Sequence, residues 1–159
     1  MEAQKRKLET NLITLGTGVI LFGIWTFIKF AISFILFGTE LDKALSDEQL
    51  ILGNIFIWIF SAIEFLLRCY IGFSARSEGK GKHKSVWYLL VTGIFVIWYF
   101  VLILLDCGTL FAIDENYFDV IVTIIIDITS LVFLIEVFLY SVKLRKLRKA
   151  QLKGQGKNQ

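Results

Sequence analysis

The chain contains no proline, and only one histidine, one methionine and two cysteines among its 159 residues. Each shortage excludes something. A proline ring breaks the helical ladder, and the interrupted helices of many transporters carry Gly or Pro at the break. Continuous helices are therefore expected here. The lone histidine, His83, lies in a Gly/Lys-rich stretch. It leaves no imidazole for a metal site or for a Ser–His or Cys–His arrangement inside an apolar segment. Cys69 and Cys107 fall near opposite ends of two apolar runs, most of a bilayer apart. A disulfide needs Cα atoms within about 7 Å, so no pairing within the chain is expected. Neither thiol belongs to a C-x-x-C motif, which argues against a thiol oxidoreductase. Both read as small packing residues. Acceptor sites for N-glycosylation, lipidation boxes and phosphate-binding loops are missing too. The sequence points away from an enzyme, and no metal or cofactor is expected.

What the chain has in abundance is apolar surface. Hydrophobic residues make up 56% and aromatics 15%, against about 45–50% apolar in ordinary soluble domains. Four runs reach the roughly 20 residues that span a bilayer as helix: about 11–37, 50–73, 86–112 and 117–142. The expected fold class is all-α, a polytopic transmembrane four-helix bundle. A polar lead, 1–10, precedes the 11–142 transmembrane domain, and a basic tail, 143–159, follows it. Segment 74–85, SARSEGKGKHKS, reads as a linker too polar to pack. Ser46 with Gln49 reads as a capping box for the second span.

Two tandem hairpins are also legible. Thr17-Gly18 and Trp25 in the first span are echoed by Thr92-Gly93 and Trp98 in the third. Ile63-Glu64 in the second is echoed by Ile135-Glu136 in the fourth. Such a parallel repeat has its axis along the membrane normal.

Basic residues set the orientation. Lys5, Arg6 and Lys7 in the lead, Arg76, Lys80, Lys82 and Lys84 in the linker, and the tail all fall on one side. The opposite loops hold Glu40, Asp42, Asp47, Glu48, Asp114, Glu115 and Asp119 against Lys43 alone. Both termini are thus expected in the cytoplasm and the protein in a cell (inner) membrane. Lys143, Arg145, Lys146, Arg148 and Lys149 would meet anionic lipid headgroups just past the last span. The tail lacks interleaved aromatics, so nucleic acid is not an expected partner. Trp87, Tyr88, Tyr117 and Tyr140 read as interfacial anchors, and Trp25, Trp58 and Trp98 as packing residues.

The spans carry ionisable residues, each costly in hydrocarbon at about 2.5–3.5 kcal/mol for Arg, Lys or Asp. By depth they form two groups. Glu64, Arg68 and Glu136 lie toward the inner side, and Lys29, Asp106 and Asp127 toward the outer. Helical phase gives most spans one polar stripe: Thr14, Gly18, Trp25 and Lys29 on the first, Asn54, Ser61, Glu64, Arg68 and Gly72 on the second, Thr92, Tyr99 and Asp106 on the third. The fourth span instead shows Asp127 and Glu136 on opposite sides, as if a second copy or a larger membrane partner covered one of them. Two functions fit. The groups could be register-fixing pairs in an accessory or interaction subunit of a membrane assembly. Alternatively, Glu64 and Glu136 could be exchangeable carboxylates of a small transporter or channel for an ion or polar solute.

Overall fold

The computed structural model describes residues 2–37, 47–82, 85–110 and 117–155. Ser46 of the Ser46–Gln49 capping box, most of the acidic loop residues and His83 lie outside them. The described chain is four continuous helices without a strand: α1 Glu2–Phe37, α2 Asp47–Gly79, α3 Trp87–Leu110 and α4 Tyr117–Gln155. All four contain a window long and apolar enough to cross a membrane. At about 1.5 Å per residue, α1, α2 and α4, of 36, 33 and 39 residues, outreach the ~30 Å hydrocarbon thickness of a bilayer.

The excess length corrects the expected boundaries. The 74–85 linker is helix as far as Gly79, and Ser74, Ala75 and Glu78 on it are buried. The 1–10 lead is helix from Glu2, with Leu8 in the core. Composition misleads at both places because one face alone packs. Ile71, Ala75 and Glu78 continue the inward stripe of Arg68 at three- and four-residue spacing. α2 stops where its backbone turns left-handed, at Gly81 with φ 86°. Lys82 N donates to Ser77 O and Gly81 N to Glu78 O, the two bonds of a Schellman cap. Ser85 then opens α3, its Oγ accepting from Trp87 N at 3.3 Å, as an N-capping residue does.

α1 packs along α2 and α3 along α4; α1 also meets α4, while α2 and α3 barely touch. The first seam is close because glycines line it. A Cβ on Gly72 would sit 2.6 Å from Gly16 O, and one on Gly79 2.7 Å from Glu9 O. Backbone-to-backbone approach of this kind drives helix association in lipid, where no hydrophobic gain is available. Gly18 faces the Phe133 ring of α4. The core between the helices is built from Leu12, Leu15, Val19, Ile71, Leu134, Val137 and Leu144.

Many large apolar side chains point outward instead. Ile35, Leu52, Phe56 and Ile97 are each at least two-thirds exposed. Trp25 and Trp98 are among the outward residues, at 56% and 41% exposure, so neither packs inside as expected from depth. Trp58 does pack, edge-on against Phe27, Phe30 and Phe34.

Candidate functional site: two Arg–Glu–Tyr clamps

Arg68 occupies the middle of the bundle at 3% exposure. Its guanidinium reaches all four helices. On α2 it donates through Nη2 to Glu64 Oε1 at 3.0 Å, one helical turn away. On α1 its Nη1 contacts Thr26 Oγ1 at 3.3 Å. On α3 it lies over the Tyr99 ring, 4.7 Å from the centroid. On α4 it lies in the field of Asp127 and shares a small cavity with Ser130. Tyr99 closes the arrangement, its hydroxyl donating to the same Glu64 oxygen at 2.6 Å. The carboxylate thus accepts two bonds, and the cation gains a ring face. That is how a buried ion pair recovers part of its desolvation cost.

The same constellation recurs toward the other end of α2. Glu78, at 1% exposure, accepts from Arg145 Nε at 2.7 Å and from Arg145 Nη2 at 3.1 Å. The Tyr88 hydroxyl also donates to Glu78, and Arg145 lies 5.4 Å from the Tyr88 ring centroid. In both clamps α2 supplies the glutamate and α3 the tyrosine. The arginine comes from α2 in one and α4 in the other. Around the second clamp Arg145 also bonds Ser85 O, and Arg148 bonds Glu9 of α1 at 3.1 Å and Glu78 O at 2.9 Å. The fork of a guanidinium suits such multiple acceptors.

The expected site residues are therefore redistributed. Glu64 and Arg68 come together, but among the described residues no hydrogen bond or ion pair joins Glu136 to either. Arg68 instead lies within electrostatic reach of Asp127, and Asp127 of Asp106, so members of the two depth groups adjoin while Glu136 stands apart. Lys29 donates to Thr123 Oγ1 at 2.7 Å, one turn before Asp127 on α4. Of the five tail cations, Arg145 and Arg148 turn into the bundle, whereas Lys143, Lys146 and Lys149 stay exposed. Tyr88, expected as an interfacial anchor, is 1% exposed. The stripe Thr92, Tyr99 and Asp106 does face inward, but Thr14 and Trp25 of α1 face out. The inward face of α1 is Leu8, Leu12, Leu15 and Val19.

Glu78 and Glu9 were missed. Their signal is positional: Glu78 stands on the continued face of α2, ten residues past Arg68, in a segment whose polarity reads as loop. The cavity beside Arg68 measures about 10 Å³ and is lined by Val19, Phe22, Ser130, Phe133 and Leu134. Arg68 Nε and Ser130 Oγ are both buried without a protein hydrogen-bond partner, and the space is at the lower limit for one water. Cys69 and Cys107 are free thiols. Among the described residues no group of His, Cys, Asp and Glu is placed to hold a metal ion. Comparison with protein-family models, with curated proteins and with solved structures gives no match.

Proposed function

We propose that this chain is a non-enzymatic, multi-pass integral protein of a cell (inner) membrane, with both termini cytoplasmic, serving as a helical interaction subunit of a membrane assembly. The observation that carries the reading is the engagement of the buried charges. Glu64 and Arg68 are bound by Tyr99, Thr26 and each other, and the cavity beside Arg68 is about 10 Å³. Charges held this way fix helix register. A transport path past Arg68 would need a file of waters, and the cavity beside it has room for about one.

The outward apolar residues on every helix support lipid as the solvent, because soluble monomers rarely expose apolar patches above a few hundred Å². Close packing of α1 with α2 and of α3 with α4 supports the tandem-hairpin reading. Glu136, which has no hydrogen bond or ion pair among the described residues, supports a neighbouring subunit on its side of α4.

Reconstitution tests the proposal. Proton or ion flux is expected to be equal in vesicles bearing wild type, bearing Glu64→Gln and bearing no protein. In native nanodiscs the mass is expected to exceed that of one chain. Flux present in wild type and lost in Glu64→Gln would establish the rival reading, a small transporter or channel working through an intramembrane carboxylate. A single-chain mass would remove the assembly.

A further inference from the structure

Toward the α1 N-terminus, residues of α1 and α4 together line a groove of about 560 Å³. Three lysines line it: Lys7 from α1, and Lys143 and Lys146 from α4. All three are exposed, and none takes part in an ion pair among the described residues. No carboxylate lines the groove. The nearby carboxylate of Glu9 is held by Arg148, and Glu78 by Arg145. The side-chain amides of Gln4 and Asn11 and the Tyr140 hydroxyl add neutral donors, while Leu8 and Leu147 give the groove an apolar floor. The placement within the helices matters as much as the charge. Asn11 and Tyr140 stand where the polar ends of α1 and α4 give way to their apolar spans, which is headgroup depth in a bilayer.

We propose that this α1–α4 groove is a binding site for the phosphate-bearing headgroup of an anionic phospholipid, with Lys7, Lys143 and Lys146 as its cationic contacts. The site rests on the membrane reading above, and narrows it from a diffuse basic tail to one interhelical pocket. Lysine is suited to the task, since its ammonium acts as a mobile point charge that follows phosphate oxygens without fixed geometry. Basic pockets between spanning helices on the cytoplasmic side are established headgroup receptors. The pocket divides the tail cations by job: the arginines lock helices together, and the lysines are left for lipid.

The full-length protein in mild detergent would be presented with an anionic phospholipid or with its zwitterionic counterpart of the same acyl chains. Bound lipid would be counted by native mass spectrometry. Wild type is expected to retain the anionic lipid preferentially. The Lys7→Gln/Lys143→Gln/Lys146→Gln variant is expected to lose roughly tenfold to a hundredfold in its affinity. A control variant, Arg6→Gln/Lys80→Gln/Lys82→Gln, removes equal charge at exposed sites outside the groove and is expected to bind as wild type does. Inorganic phosphate at millimolar concentration is expected not to compete. Equal loss in both variants, or no preference for anionic lipid, would overturn the site. Displacement by inorganic phosphate would assign the groove to a soluble anion instead. The membrane reading fails separately, if alkaline carbonate releases the protein from membranes.

Discussion

Glu78 shows what a single buried carboxylate demands. At 1% exposure it has almost no water to solvate its charge, and Arg145 and Tyr88 replace that water. Removing Glu78 leaves the buried Tyr88 hydroxyl without its acceptor and Arg145, 15% exposed, without its counter-ion, at a cost of about 1–3 kcal/mol. Glu78→Ala is therefore expected to lose that much stability in a detergent-unfolding titration. Arg148→Gln is expected to lose only about 1 kcal/mol, since the Arg148–Glu9 side chains are each about a fifth exposed and solvent screens them. Equal losses for the two substitutions would show that burial does not set the energetics here. Which charges lie inside was only partly legible. Arg68 and Glu64 declare themselves by sitting in an apolar run. Glu78 sits among Ser, Arg, Gly and Lys, where a paired carboxylate and a solvated one look alike in sequence. Arg145 and Arg148 were indistinguishable from Lys143, Lys146 and Lys149 for the same reason: only the partner across the bundle separates them.

The helices themselves were legible as apolar runs, because about 20 such residues have few alternatives to spanning lipid. Their ends were not, because the ends obey helix periodicity and local capping rather than hydropathy. The Schellman turn at Gly81 and the N-cap at Ser85 fix the α2–α3 connection, and both lie in the stretch that composition assigns to a loop. The phase of α1 was misread for a related reason. Thr14 and Trp25 of the expected stripe face out, while Gly18 and Lys29 face α4, and the contact with α2 runs through Glu9, Ile13, Gly16, Ile20 and Gly23. Gly72→Leu is expected to force that seam apart, since even its Cβ would meet Ile20 Cγ1 at 2.5 Å and Gly16 O at 2.6 Å. A loss of at least about 1–3 kcal/mol is expected from overpacking alone. Gly53→Ala, on the same helix with nothing within 4 Å of the new methyl, is expected to leave stability unchanged or raise it by up to about 1 kcal/mol. Thermal unfolding of both variants in one detergent checks the contrast.

At the scale of the molecule the bundle is a chain of seams, α2 to α1 to α4 to α3, with little direct packing between α2 and α3. The two clamps bridge that weak side. Tyr99 to Glu64 and Tyr88 to Glu78 are hydrogen bonds from α3 to α2, one in the middle of the bundle and one at its end. On the proposed reading the buried ionic groups are fasteners, and their tyrosine partners couple the α1–α2 hairpin to the α3–α4 hairpin across the open face. The most direct measurement is a spin-label distance between Phe73→Cys on α2 and Leu90→Cys on α3, both more than half exposed, in a background with Cys69 and Cys107 replaced by serine. In lipid nanodiscs a single narrow distance distribution is expected, broadening and shifting outward in Tyr88→Phe/Tyr99→Phe, which removes only the two hydroxyls. An unchanged distribution in that variant would contradict the role assigned to the clamps.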